Sequence, residues 1–368
     1  MRKSKPTVAL IYDFDGTLSP GNMQEFGFIE AIGKSPKAFW TENNQIAQEN
    51  DADQILTYMY LMLQKAKSGN ISLKRKSFND FGKKIELFKG VLEWFKLINE
   101  YGKALGVEIE HYINSSGLIE MVEGTPIAKE FKKIYACSYL YDVDGKAIWP
   151  AVAVNYTTKT QFLFKINKGI DSIYDNRKVN EFIEQDKRRI PFSRMIYFGD
   201  GETDIPCMRL IKDQGGHSIA VYKPRDSKKK SVSEKLISEN RVNFACAADY
   251  TENKEIHQVV KTILEKLKAD SEFQHLLDQH QKKCIPIIND NNVANQKSHH
   301  VVTNSNGGLD IKKGVADHAI NHCDTKQEAI EEVREISQNQ GFELYIHGLD
   351  GKIQGKDSHG NDQYPPKG

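Results

Sequence analysis

Asp13 and Asp15 are separated by one residue in the string Asp13-Phe14-Asp15-Gly16-Thr17-Leu18, directly after the apolar run Val8-Ala9-Leu10-Ile11-Tyr12. A short unbroken apolar run closed by a glycine-containing turn reads as a strand buried on both faces. Acidic groups at the C-terminal end of such a strand face the crevice in which open α/β sheets bind their ligands. A second acidic cluster, Gly199-Asp200-Gly201-Glu202-Thr203-Asp204, follows another strand-like run at 195–198. Carboxylates gathered from two strand ends make a hard oxygen site suited to magnesium and phosphate.

The chain carries its own control for this pattern. Asp142-Val143-Asp144-Gly145 repeats the Asp-x-Asp-Gly spacing without the preceding buried run or the following Thr-Leu. It reads as the turn of a hairpin between 134–141 and 147–154. Neither copy has the further acidic ligands and terminal Glu of a calcium loop.

The elements that must position the acidic clusters follow from periodicity. Residues 22–84 read as helical, with Ile55, Tyr58, Met59, Met62 and Leu63 at helical spacing. A helix over 91–105 leads into a strand over 107–113 that ends at Asn114-Ser115-Ser116-Gly117. A helix over 159–168 is expected, with Thr157 and Thr158 as its caps. Strands at 195–198, 218–222 and 242–246 and a helix over 255–269 complete a strand-and-helix alternation. That alternation predicts a parallel α/β sheet. Residues 271–298 are polar, with Asn289-Asp290-Asn291-Asn292, and read as a linker that is partly helical near its start. Residues 299–368 read as a small α+β unit. It has strands at 300–303, 309–312, 344–347 and 352–354, and a helix over 326–340 capped by Asp324 or Thr325 with Glu328 following.

Bulk composition narrows the function classes. A length of 368 residues suits two domains, and 39% apolar residues suffice for a sizeable core. With 51 Lys plus Arg against 50 Asp plus Glu, no net field draws the chain to nucleic acid or to an anionic membrane. The basic runs Lys74-Arg75-Lys76 and Lys228-Lys229-Lys230 read as solvated surface. Cys137, Cys207, Cys246, Cys284 and Cys323 are widely spaced and odd in number. That argues against a disulfide framework or a zinc site and for reduced thiols in the cytoplasm. The apolar run before Asp13 is too short for a signal core, and no stretch suits a membrane span.

Four elements in order resemble the motifs of the haloacid dehalogenase superfamily: Asp13-x-Asp15-Gly16-Thr17, Ser115 after a strand, Lys159 at a helix start, and Gly199-Asp200-x-x-x-Asp204. The resemblance covers roughly residues 6–269, and Thr157-Thr158-Lys159-Thr160-Gln161 looks like the third motif of phosphoserine-phosphatase-like members. It implies a doubly wound parallel-sheet core over 1–18 and 89–270, a helical cap at about 19–88, and magnesium-dependent hydrolysis of a small phosphorylated substrate. Asp13 would be the nucleophile and form an aspartyl-phosphate. Asp15 would be the general acid and then the general base. Mg2+ would bind Asp13, the Asp15 carbonyl and Asp200, with Asp204 in support. Ser115, Lys159, Thr17 and Gly16 would hold the phosphoryl oxygens. Ser116 and Lys168 compete with Ser115 and Lys159 for these roles. The string Ser115-Ser116-Gly117-Leu118 departs from the Ser-Gly-Gly-Phe-like text of phosphoserine phosphatases, which puts phosphoserine itself in doubt.

Gly21, Asn22, Gln24 and Glu25, where the chain enters the cap, either face the substrate or only start the first cap helix. His111 reads as a packed or edge histidine, not a ligand, and His299, His300, His318 and His322 as exposed ones. The unit at 299–368 resembles a small uncharacterised bacterial domain, through Asp324-Thr325-Lys326-Gln327-Glu328-Ala329, His347-Gly348-Leu349-Asp350-Gly351-Lys352-Ile353 and Gly360-Asn361-Asp362. It is expected to be an accessory module that could select a protein partner. Two alternatives stand beside hydrolysis: transfer of the phosphoryl group to another acceptor, and a regulatory or interaction role. Dehalogenase chemistry is disfavoured by Asp15 and the full acidic cluster.

Overall fold

The computed structural model describes residues 5–175, 177–184, 187–290, 298–304, 307–314, 318–349 and 351–357, with backbone alone over 282–290. It divides into two compact units, Met1–Glu272 and Phe273–Gly368.

Strand β1 (Thr7–Tyr12) lies at the centre of the first unit, and Val8, Ala9, Leu10, Ile11 and Tyr12 are fully shielded. Burial on both faces is why its sequence is continuously apolar instead of alternating. The other strands are β2 (Glu108–Leu118), β3 (Lys133–Tyr141), β4 (Ala147–Val152), β5 (Met195–Gly199), β6 (His217–Tyr222) and β7 (Phe244–Ala247). They form one sheet in the order β4-β3-β2-β1-β5-β6-β7. All neighbours run parallel except β3 and β4. The chain winds outward from β1 on one side and then starts again at β5 on the other. The connections that leave these two strands run to opposite sides, so a crevice forms at their C-terminal ends. The Asp13 N–H donates to the Phe198 carbonyl at 2.8 Å, which fixes the level of β1 against β5 at the floor of that crevice.

Between β1 and β2 lie α1 (Phe28–Ala31), α2 (Pro36–Glu49), α3 (Gln54–Ser68) and α4 (Arg75–Gly82), followed by α5 (Val91–Leu105). Helix α2 starts on Ser35, whose hydroxyl accepts from the Ala38 N–H, with Pro36 in its first turn. Helix α3 starts on Asp53, which accepts from the Ile55 and Leu56 amides. The helical insertion leaves and re-enters the core at one point, where the Phe88 N–H donates to the Leu18 carbonyl at 2.9 Å. Tyr58 on α3 donates to the Ser116 carbonyl at 2.6 Å, joining the insertion to the end of β2.

The later helices are α6 (Ile119–Glu123), α7 (Thr158–Lys168), α8 (Arg177–Asn180), α9 (Ile205–Asp213), α10 (Ser227–Ser238) and α11 (Glu255–Asp290). The expected cap of α7 is corrected. Thr157 and Thr158 do not cap it; instead Asn155 Oδ1 accepts from both of their backbone amides, at 3.2 and 3.0 Å. Helix α11 runs to Asp290, through most of the stretch read as a linker, and residues 291–297 lie outside the described residues. The repeated acidic string forms the β3–β4 hairpin turn, in which Asp142 Oδ1 accepts from the Asp144 and Lys146 amides.

The second unit carries β8 (Ser298–Thr303), β9 (Leu309–Lys313), β10 (Ala319–Cys323), α12 (Lys326–Gln340), β11 (Glu343–His347) and β12 (Ile353–Asp357), with sheet order β10-β9-β8-β11-β12. Its core is Val301, Ile311, Cys323, Ala329, Val333 and Leu344. Strand β10 has no apolar alternation, since Ala319 to His322 are all exposed, which is why periodicity missed it. Thr325 and Glu328 form the capping box of α12. His299 is not exposed as expected: it is fully buried and bonds through Nδ1 to Ser337 at 2.8 Å. His300 is partly buried and pairs with His347 at 3.0 Å. The string Gly360-Asn361-Asp362 lies outside the described residues.

Candidate active site

Asp13 follows β1, Ser115 lies near the end of β2, Lys159 lies in the first turn of α7, and Asp200 follows β5. The sheet brings these distant positions together. The Lys159 Nζ is fully buried and lies 3.0 Å from Asp13 Oδ1 and 2.6 Å from Asp204 Oδ1. Asp204 Oδ1 also accepts from the Tyr197 hydroxyl at 2.7 Å. Asp15 Oδ1 accepts from the Met23 N–H at 3.0 Å, a bond from the chain entering the insertion. Asp200 Oδ2 lies 3.3 Å from Lys229 on α10, so the basic run read as plain surface contributes one cation here.

Lys168 lies elsewhere and donates to the Val179 and Glu181 carbonyls, so Lys159 is the lysine of this cluster. Ser115 and Ser116 both line the crevice. Ser115 Oγ accepts from the Gly117 N–H at 3.1 Å, while Ser116 Oγ is buried with no partner. The Gly16 N–H donates to the Ser19 carbonyl at 2.8 Å. The contribution of Gly16 is its missing side chain. Its φ is +76°, and a Cβ there would sit 2.1 Å from Asp200 Oδ2. The buried Thr17 hydroxyl has no partner, and its carbonyl accepts from Tyr250 at 2.8 Å. His111 is packed as expected, bonded to Tyr12 at 3.1 Å and to Asn99 at 3.0 Å.

Electrostatics follow from crowding carboxylates out of water. Burial, then the charge of Asp204, raises Asp13 to about 7, with Lys159 opposing. Burial and then Asp204 raise Asp200 to about 6, with Lys229 opposing. Burial and then Asp13 push Asp15 well above the ordinary carboxylate range, against the Met23 N–H. Burial alone would lower Lys159, but Asp13 and Asp204 more than offset it and hold the ammonium charged. The cluster is thus short of positive charge. Asp13, Asp200 and Asp204 each offer a carboxylate oxygen, all within 4.8 Å of one another. A hard-oxygen set of this kind fits Mg2+.

The crevice holds about 230 Å³ and is lined by Asp13, Asp15, Ser115, Ser116, Gly117, Asp200 and Thr203 at its floor. The insertion supplies the opposite wall, through Asn22, Gln24, Trp40, Asn43, Asn44, Gln54, Ile55 and Tyr58. Sequence reading singled out Asn22 and Gln24 and missed the rest, along with Tyr197, Thr203 and Lys229. Strand alternation could have found Tyr197, which lies two residues before Gly199. No linear signal marks the rest of the cap wall.

Residues 10–209, more than half of the chain, match the haloacid dehalogenase-like hydrolase family. The chain belongs to this family. An uncharacterized protein of Borreliella burgdorferi is 32% identical over 70% of this chain and 96% of its own length. A haloacid dehalogenase family hydrolase of Salmonella enterica serovar Typhi superposes with a TM-score of 0.44 at 15% identity, over 72% of this chain and 73% of its own. A phosphoserine phosphatase solved as a phospho-aspartyl intermediate analogue gives a TM-score of 0.44 at 16% identity, over 70% of this chain and 99% of its own. Residues 299–359 match an uncharacterized protein family conserved in bacteria, DUF2188. In the first unit of this haloacid dehalogenase-like hydrolase, Asp13, Ser115 and Asp200 line one crevice, and Lys159 lies buried beside it against Asp13.

Proposed function

We propose that this chain is a magnesium-dependent phosphomonoester hydrolase that acts on a small phosphorylated metabolite through an aspartyl-phosphate on Asp13. The observation that carries the reading is the pairing of Asp13, on the crevice floor, with the buried Lys159 3.0 Å away, beside Asp15 held by the Met23 amide. Lys159 fixes one carboxylate oxygen of Asp13 and opposes the rise in pKa that burial and Asp204 impose on it, which favours the ionised, nucleophilic form. A carboxylate oxygen of Asp13 forms the new bond to phosphorus as the bond to the leaving alcohol breaks. Asp15, whose pKa is raised, gives its proton to the departing oxygen. It then takes a proton from the water that attacks the acyl-phosphate, releasing inorganic phosphate and restoring Asp13. Ser115 and Lys159 hold non-bridging oxygens, and Thr17 has a free hydroxyl nearby in the same loop. Mg2+, held by Asp13, the Asp15 carbonyl and Asp200 with Asp204 in support, would supply the positive charge that phosphoryl oxygens need.

Cys137, Cys207, Cys246 and Cys323 are free and buried, which supports a place in the reducing cytoplasm. Among the described residues no helix is long and apolar enough to cross a membrane. The second unit is proposed to act as an accessory module that selects a protein partner.

The test is turnover of p-nitrophenyl phosphate by the full chain, with and without magnesium, followed by trapping of acyl-phosphate in quenched enzyme. Magnesium-dependent release of nitrophenol and a trapped adduct at Asp13 are expected. Equal turnover in excess chelator, or by Asp13→Asn, would overturn the reading.

A further inference from the structure

We infer that the alcohol released in this reaction is small, uncharged and polyhydroxylated, so that the substrate is a sugar or polyol phosphate read by the amides of Gln24 and Asn43. The inference rests on the phosphatase reading above and assigns the other half of the same crevice.

Among the described residues, the charged side chains lining the crevice are Asp13, Asp15 and Asp200, all at the phosphate end. The cap wall presents amides and rings instead: Gln24, Asn43, Asn44, Gln54, Trp40 and Tyr58. The nearby carboxylate, Glu25, is already engaged, since its Oε1 accepts from Trp40 Nε1 and from Asn22 Nδ2, each at 2.8 Å. Those bonds also hold the indole as a fixed platform.

Two of the amides lack what burial demands. Gln24 and Asn43 are each 2% exposed, yet Gln24 Oε1 and Asn43 Oδ1 have no hydrogen-bond partner. Buried polar atoms are nearly always satisfied, so orphan acceptors on two residues that line the same cavity point to a ligand whose hydroxyls meet them as the amides turn toward it. An amide offers both a donor and an acceptor, and a hydroxyl answers both. A carboxylate on the leaving group would bring lone pairs to the amide oxygens and a charge with no counter-ion, which burial penalises. Indole and phenol rings suit the C–H faces of a polyol.

Size sets the other limit. A cavity of about 230 Å³ lies below the roughly 300–1,000 Å³ of sites that enclose drug-sized ligands. The phosphoryl group takes part of that space, so nucleotides and phosphopeptides are excluded from full entry.

The test uses the full chain with magnesium and p-nitrophenyl phosphate as the reference ester. The panel is glycerol 3-phosphate, erythrose 4-phosphate and glucose 6-phosphate against O-phosphoserine, 3-phosphoglycerate and phosphoethanolamine. The best neutral polyhydroxylated ester should exceed every charged one by about tenfold or more in kcat/KM. Separately, Gln24→Met and Asn43→Leu should each raise KM for that ester about tenfold more than KM for the nitrophenyl ester, the scale of one lost hydrogen bond. Preference for an amino or carboxylate ester would overturn the inference, and so would equal losses on both substrates. If the nitrophenyl ester is not turned over at all, the phosphatase reading fails and takes this inference with it.

Discussion

Lys159 and Asp13 meet at 3.0 Å at the floor of the crevice, in a place where the lysine is wholly shut off from water. The same ammonium lies 2.6 Å from Asp204, so one buried cation serves two carboxylates. Removing one member of a buried ionic group leaves its partners uncompensated, at a cost of roughly 3–5 kcal/mol. Lys159→Met should therefore lose turnover and also lose stability on that scale in a urea titration. A variant that stays as stable as the parent would show that the ion pair is not buried as described.

Asp13→Asn should keep the fold and lose turnover, since a carboxamide is a poor nucleophile. Asp15→Asn retains an oxygen to accept from the Met23 amide but has no proton to give. Turnover should fall by about 10²–10⁴-fold, with the larger loss on esters of poor leaving groups. Circular dichroism and steady-state kinetics on both leaving-group types check the pair. Equal losses on good and poor leaving groups would remove Asp15 from the acid role.

Stability should depend on pH and magnesium together. Asp13 and Asp200 are raised to about 7 and about 6 in the folded chain, against about 3.9 unfolded. Folding then takes up protons between about pH 4 and 7, and the stability this provides is lost as pH rises through that window. His111, lowered to about 3 by burial, acts oppositely up to about pH 6.5, so the informative quantity is the difference made by the metal. Protons compete with Mg2+ for the same oxygens. The rise in Tm on adding magnesium should grow from pH 5 to pH 7.5 (scan points at roughly those values). Asp200→Asn should flatten that trend, and a pH-independent rise in the parent would contradict the carboxylate assignment.

Gly16→Ala should damage the site beyond ordinary backbone strain. A left-handed residue that gains a Cβ costs about 1–2 kcal/mol, but here the new atom would also meet Asp200 Oδ2 at 2.1 Å. Magnesium activation should shift to higher concentration. Gly33→Ala is the control, because Gly33 has φ +70° with nothing within 4 Å of its Cβ position. A similar activation curve for both variants would refute the contact.

Truncation after Glu272 should leave a folded hydrolase. Among the described residues, the buried side chains of α11 are Ile256, His257, Val260, Ile263, Leu264 and Leu267, all before the cut. Beyond it, Phe273, Leu276 and Leu277 are exposed. Turnover of p-nitrophenyl phosphate within about twofold of the full chain is expected, since surface changes away from such packing cost little. Loss of turnover in a truncated chain that melts normally would implicate the second unit in catalysis.

Much of this protein was legible along the chain. A strand buried on both faces has to be continuously apolar, so Val8 to Tyr12 announced β1 and placed Asp13 at its end. The repeated Asp142-Val143-Asp144-Gly145 string lacked that run and became a turn. The span of helix α12 was readable because Asp324 or Thr325 with Glu328 following marks its start by local hydrogen bonding, and the structure selects Thr325. The cap of α7 was not, since Asn155 sits further upstream and outcompetes the two threonines beside it. Strand β10 carried no pattern because Ala319 to His322 face solvent and only Cys323 is buried, and its place at the sheet edge is set by pairing with β9.

The sequence by itself determined which carboxylates end which strands, because a two-residue periodicity and an apolar run are properties of neighbours in the chain. Only the tertiary structure decided that Lys159 and not Lys168 faces Asp13, that Lys229 reaches Asp200, and that Trp40, Asn43 and Tyr58 close the opposite wall. Those contacts join positions far apart in sequence. Their existence depends on how the sheet and the helical insertion pack, which no local pattern encodes.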